Sequence, residues 1–309
     1  MGWGYINKAG EIYIDLKFNN AFEFTEQIAC VQDEIGYTYI STTGNPLFHK
    51  YFNERSDFFN ERARISEKGL DGFINIAGEW AIKPIYHVAG HFQEGLARVR
   101  KGVKSYFIDK EGVVVIDPNC AKANDFRCGL ANVTFQGKTY YINHAGQRIL
   151  GPYDVGDDFY DGVAAVKKDG THYLIDTKGE PLLRYDPAYI SPYCVNDRIA
   201  FGQDGKCGFL NRYGKVVIDP IFDEVSTFHN GVAIFNRGKK KGFVDQEGQL
   251  LFECRLKVLE NLHEDLAVFS EDGADYGFCN RKGDIIIRPQ WAYARRFSCG
   301  LAAVSNEPL

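Results

Sequence analysis

The sequence predicts an all-β tandem repeat array of nine antiparallel units, each about 34 residues long. Three observations predict it. The pattern F-I-N-x-x-G, or a close variant, recurs nine times. Its closing glycines are Gly10, Gly44, Gly78, Gly112, Gly146, Gly179, Gly214, Gly248 and Gly283, spaced 33 to 35 residues apart. Five residues before each glycine stands an aromatic: Tyr5, Tyr39, Phe73, Phe107, Tyr141, Phe209, Phe243 and Phe278, with Leu174 the exception. Midway between glycines stands an alanine: Ala29, Ala63, Ala97, Ala131, Ala164, Ala233, Ala267 and Ala302, with Ile199 the exception.

Each element of the unit has a local reason. Asp or Asn three residues before the glycine, as in Asn7, Asn75 and Asp109, suits the first corner of a type I turn. Its side chain caps the backbone, and glycine at the fourth corner accepts positive φ. The flanking segments are rich in Val, Ile, Phe and Tyr, which is a hairpin signal. The copy from Gly95 to Pro118 shows it most plainly. Leu96 to Val99 reads as one strand and Lys104 to Asp109 as a second, across a turn at Lys101-Gly102. Val113 to Ile116 reads as a third, which Pro118, lacking an amide donor, is expected to end. Proline recurs at Pro84, Pro118, Pro152, Pro220 and Pro289. A second aromatic precedes the alanine in most copies, as in Phe92, Phe126, Phe159, Phe228 and Phe297. The small alanine implies close packing between neighbouring units, and the aromatics imply stacked rows in a shared core. No amphipathic helix is evident; at most a helical turn fits near Ala89 to Gln93.

The chain begins partway through a unit, at Gly2, and ends 26 residues after Gly283. The two partial copies together make one whole unit, so their strands could pair and close the array. The sequence favours an open or nearly closed, solenoid-like or superhelical array of three-stranded units. A closed, propeller-like toroid is the alternative, disfavoured because 34 residues is short for a four-stranded blade. Residues 1–309 are read as a single repeat domain.

Composition narrows the function classes. A formal charge of −5 argues against direct nucleic-acid binding. No signal-peptide pattern and no membrane-length apolar run appears. Eight cysteines occur without a C-x-x-C pair, and they read as free, buried thiols of a cytoplasmic protein.

The phased residues resemble the WG repeat, a bacterial β-rich repeat. Phe92-Gln93-Glu94-Gly95-Leu96-Ala97-Arg98-Val99 resembles its F-x-E-G-L-A-x-V segment. Phe243 to Gly248 resembles its hairpin, and Val217-Ile218-Asp219-Pro220 its V-I-x-P segment. The Trp-Gly pair itself appears once, at Trp3-Gly4; other copies hold Asp71, Ser105, Thr139, His172, Cys207, Lys241 or Tyr276 in place of the tryptophan. The resemblance implies an interaction module and carries no catalytic residue.

Candidate chemistry is sparse. His87 and His91 have an i, i+4 spacing, yet they flank a turn and read as loop or partly buried histidines. Asp154, Asp157, Asp158 and Asp161 lack the order of a calcium loop and read as a solvated loop. No nucleophile elbow, phosphate loop or zinc-protease motif is present. No cofactor is expected.

Candidate partner-binding residues fall in three groups. Arg237, Lys239 and Lys240 form the tightest basic run, with Lys241, at a hairpin tip. Trp291, Tyr293, Arg295 and Arg296 combine aromatic and arginine residues, the types that dominate interface hot spots. Tyr51, Phe52 and Arg55 lie in an irregular stretch, 49–61, that replaces the usual proline loop. A second irregular stretch, 184–201, lacks both the aromatic and the alanine. The expected function is a non-enzymatic scaffold or regulatory module that binds another protein. The alternative is a lectin-like module whose repeated aromatics and Asp/Asn residues form equivalent pockets for a carbohydrate or envelope ligand.

Overall fold

The computed structural model describes residues 2–186, 188 and 190–307. It is all-β, and no helix occurs among these residues. The strands form nine antiparallel sheets, eight of four strands and one of three. This is the blade organisation of a β-propeller, built from the repeats read in the sequence. The chain divides into two compact units. One comprises residues 1–57, 203–208 and 217–309; the other comprises 58–202 and 209–216.

The blade from residue 88 to 120 shows the local logic. Leu96–Lys101 and Lys104–Ile108 form the central hairpin, paired from Ala97↔Ile108 to Lys101↔Lys104. The turn that follows is closed by Asp109. The Gly112 amide donates to its carbonyl at 3.0 Å. The Glu111 and Val113 amides donate to its Oδ1 at 3.1 and 2.8 Å. One side chain thus satisfies two turn amides, which explains the recurrent Asp/Asn.

The structure corrects the three-stranded unit. The fourth strand comes from the loop that joins copies, and in most blades it is only two residues long, such as Lys122–Ala123 or Glu224–Val225. A blade can therefore have four strands within about 34 residues. Val88–Gln93 is one of these fourth strands, not a helical turn. Pro118 does not end the third strand, which runs Val114–Cys120. Between the pairs Ser105↔Cys120 and Phe107↔Ile116 the register slips, and Pro118 sits in that bulge on an edge strand. There no amide has to be donated to the ladder.

That bulge also accounts for the glycine of Trp3-Gly4. A Cβ at Gly4 would lie 2.4 Å from the Ile14 carbonyl oxygen of the bulged third strand, so no larger residue fits without moving backbone.

The first and last parts of the chain share one sheet. Ala302–Ser305 pairs antiparallel with Trp3–Ile6, from Trp3↔Ser305 to Ile6↔Ala302. The two partial copies thus complete one four-stranded blade, the pairing that the propeller-like alternative requires.

The core lies between blades. Phe73 of one blade packs with Phe92 and Ala97 of the next, and Phe107 with Phe126 and Ala131. The ring centroids are 4.9 and 4.8 Å apart and edge-on. All nine phased aromatic or Leu174 positions are at most 1% exposed, and so are all nine Ala or Ile199 positions. The irregular stretch 184–201 keeps this packing by compensation, although Pro187 and Tyr189 lie outside the described residues. Leu174, Cys194 and Ile199 meet in one cluster, where two smaller side chains make room for the larger one.

The turn glycine belongs to the same contact. Gly112 has φ of +83°, and a Cβ there would meet Ile82 of the preceding blade at 3.2 Å. Gly112→Ala is expected to cost about 1–3 kcal/mol, from the left-handed backbone plus crowding of Ile82. Urea unfolding of the variant checks it. A midpoint equal to the parent would remove the interblade role assigned to this turn.

Candidate functional site

The loops that follow the short fourth strands carry several ionisable groups, among them Glu23, Glu260, His263, Arg295 and Arg296. Each is pinned by a reciprocal pair of backbone bonds, such as Thr25 with Ile28, His229 with Val232, His263 with Leu266 and Ser298 with Leu301. A buried side chain anchors each loop from within, at Phe24, Phe228, Leu262 and Phe297. The polar residues beside these anchors are thereby held in place. The Phe24 amide donates to Ser298 Oγ at 2.8 Å, which ties the last loop to the first.

Arg55, Arg295 and Arg296 converge here. The Arg55 guanidinium lies 4.0 Å from the centroid of the Phe22 ring and that of Arg295 lies 4.8 Å from it. Arg295 also lies 5.0 Å from the Trp3 ring. Arg55 binds Asp57 at 2.9 Å and approaches Glu23 at 3.8 Å. Arg296 approaches the other oxygen of Glu23 at 3.9 Å and is half exposed. Arg295 donates to Asn20 Oδ1 at 3.3 Å, while its Nε is buried without a hydrogen-bond partner. Among the described residues no carboxylate lies within ion-pair distance of Arg295.

These charges perturb one another. Burial lowers the Arg295 pKa, with Glu23 opposing and Arg55 adding to the drop. Burial raises the Glu260 carboxyl, and the charge of Glu23 pushes it the same way. Glu260 is nevertheless exposed to solvent.

His229 and His263 occupy the same place in successive copies, and their Nε2 atoms are 3.1 Å apart. Burial depresses both; His263 falls from 6.5 to about 4, with His229 and Arg296 contributing. Between pH 6.5 and 4 the unfolded chain takes up a proton at position 263 that the folded chain refuses. Stability present above pH 6.5 is therefore lost as pH falls towards 4. The loss attributable to His263 is about 1–2 kcal/mol after discounting for its partial exposure. Chemical denaturation of the parent and His263→Gln across this range checks it. Parallel pH profiles would show that His263 titrates normally.

The remaining candidates are placed differently. Trp291 is 5% exposed and Phe52 6%, both within hydrophobic packing, so neither ring is presented at the surface. Phe52 packs on Tyr39 and Phe48, while Tyr51 is exposed. Tyr293 is half-buried and stacks on Tyr276 with centroids 6.1 Å apart. Arg237 and Lys240 share Glu253 at 2.8 and 3.3 Å. Lys239 and Lys240 border an open cavity of about 400 Å³ with Asp223 and Leu256. The irregular stretch 184–201 borders two further open cavities, of about 440 and 330 Å³, each lined by His172 and Tyr185.

The other sequence features resolve into structure. Asp154 binds Lys138 at 2.6 Å, and Asp158 accepts from Asn124 at 3.0 Å. His87 Nδ1 accepts from the Gly102 amide at 3.1 Å. Among the described residues no cluster of three or more His, Cys, Asp or Glu could hold a metal. The repeated aromatics are in the core, and turn residues such as Asp109 and Asn143 bond their own backbone, so neither set forms nine open pockets. The eight cysteines are unpaired; Cys30, Cys120, Cys194 and Cys279 are buried as expected, whereas Cys128, Cys254 and Cys299 are exposed at loops and strand ends.

Sequence reading missed Asn20, Phe22, Glu23, Glu260, His229 and His263. The signal was available: these residues flank the phased anchors Phe24, Phe228 and Leu262, where copies differ in charge.

Solved structures that resemble this chain are remote in sequence. A eukaryotic initiation factor matches with a TM-score of 0.64 and 12% identity, over 94% of this chain and 91% of that one. The computationally designed Ika8 protein matches with a TM-score of 0.49 and 13% identity, over 87% and 95%. BamB from Moraxella catarrhalis matches with a TM-score of 0.43 and 9% identity, over 98% of each chain. At such identity the likeness to the initiation factor speaks for the fold alone. No curated protein matches the sequence. The WG containing repeat profile matches residues 3–34, 72–104, 107–138, 141–171, 208–240, 242–273 and 276–307. The unmatched stretches between these copies contain the irregular segments 49–61 and 184–201. With most of its length matched, the chain belongs to the family of proteins containing WG repeats.

Proposed function

We propose that this protein is a non-enzymatic binding module that docks another protein on the loop cluster holding Arg55, Arg295 and Arg296. One observation carries the reading. Segments 240 residues apart bring two guanidiniums, Arg55 and Arg295, onto the single ring of Phe22, with Arg296 beside them at Glu23, and one of those segments is an irregular copy. Arginine and aromatics in a partly desolvated cluster are the residue types that anchor protein interfaces. A repeat fold supports such a site on loops whose positions the blades fix. The unpaired cysteines support a reducing, cytoplasmic setting.

Affinity purification of the tagged protein from its native cell tests the reading, run beside the Arg55→Glu/Arg296→Glu variant. The expected result is a stoichiometric protein that the parent retains and the charge-reversed variant loses. Equal retention by both, or none by the parent, overturns it.

A further inference from the structure

The three guanidiniums are short of carboxylate contacts. Glu23 is shared between Arg55 and Arg296 at the long distances of 3.8 and 3.9 Å. Asp57 is taken by Arg55, with contacts of 2.9 and 3.4 Å from the two nitrogens of its fork. Two carboxylates in contact therefore face three guanidiniums, and the one left over is Arg295. It is also the most enclosed of the three, lying between Trp3, Phe22 and Asn20. A guanidinium taken partly out of water without a counter-ion is costly, and its buried Nε makes no hydrogen bond. Such a group is retained where something outside the chain completes it.

We propose that Arg295, flanked by Arg55 and Arg296, is the receptor for a carboxylate on an acidic segment of the protein partner. This rests on the docking function proposed above and names what that site recognises. What is missing is one ion-pair contact, at Arg295, which suits a singly charged carboxylate better than a phosphate. Glu23 and Glu260 stand beside the same arginines and would repel a dianion. A carboxylate accepts two parallel bonds from a guanidinium, and half-exposed Arg296 leaves an approach for it. The ring contacts of Arg295 orient it before binding, so little rotamer freedom remains to be lost.

The test uses the full chain, calorimetric titration and three probes: a hexaglutamate peptide, a hexaglutamine peptide and inorganic phosphate. The hexaglutamate peptide is expected to bind, and the other two are not. Arg295→Met keeps the apolar contacts on Trp3 and Phe22 but removes the charge. It is expected to weaken hexaglutamate binding at least tenfold and to melt no lower than the parent, because an uncompensated charge has been removed. A variant that melts lower would show that the guanidinium serves the fold, and would overturn the proposal. So would tighter binding of phosphate than of hexaglutamate, or equal binding of the two peptides. The two readings also fail separately. A captured partner lost by Arg55→Glu/Arg296→Glu but kept by Arg295→Met sinks the carboxylate receptor and leaves the docking function standing. A partner that neither variant affects sinks both.

Discussion

Removing residues 301–309 is expected to abolish cooperative folding, although the cut takes a single short strand of described structure. Ala302–Ser305 is the strand along which Trp3–Ile6 is paired, and Tyr293–Ala294 pairs on its other side. Without it the shared sheet splits into two edges with nothing between them. The packing loss is as severe as the hydrogen-bond loss. Leu301, Ala303, Trp3, Tyr5 and Phe24 belong to one cluster, and Ala302, Val304 and Ile6 to the next. The cut therefore opens two interblade layers at once. Losing several buried side chains at about 2–5 kcal/mol each exceeds the 5–15 kcal/mol that holds a typical protein folded. Circular dichroism and urea titration should show a low-stability, non-cooperative species that aggregates through its open edges. The control is a circular permutant, with the original ends joined by a flexible linker and new ends at the Lys101-Gly102 turn. It keeps every strand pair and should retain the parent's transition. A truncated chain that still unfolds in one sharp transition near the parent's midpoint would refute this account of the shared sheet.

The legibility of this fold followed the scale of each interaction. Turns and hairpins are local, so Asp109 and Gly112 could be placed from spacing alone, and the structure puts them in the expected turn. The phased alanines and aromatics were legible as interblade packing because one geometric demand repeats nine times. The fourth strand was not legible. Two residues such as Lys122–Ala123 carry no alternation, and they are strand only because the next hairpin offers them an edge. Pro118 misled for the same reason, since a bulge in an edge strand is a property of the pair and not of the segment. At the candidate site, Arg55 and Arg296 could be flagged singly, but their meeting at Glu23 depends on how the unit folds. Trp291 shows the reverse failure: its hot-spot character is real by residue type, yet its position in the third strand buries it.

The interblade layer makes the second large prediction, and the chain supplies its own control. Phe107 is fully buried, edge-on to Phe126 and in the same cluster as Ala131. Phe107→Ala is expected to cost about 3–5 kcal/mol, because the flanking blades are fixed by their own hairpins and cannot collapse into the space. Phe107→Leu should cost only about 1–2 kcal/mol, since the leftover cavity is small. Ala131→Ile alone should cost about 1–3 kcal/mol by overpacking against Phe107. Elsewhere in the chain Leu174 and Ile199 share one cluster in these two roles, so leucine in one position accommodates isoleucine in the other. The double variant Phe107→Leu/Ala131→Ile is therefore expected to be more stable than the sum of the two single losses, by about 1 kcal/mol or more of favourable coupling. Urea midpoints of the four proteins complete the cycle. Strict additivity would mean that the two side chains do not compete for the same space, and that the match between Leu174 and Ile199 is accidental. Coupling of the expected sign would show that neighbouring copies diverge in pairs, which is how an array built on one packing rule can tolerate an irregular member.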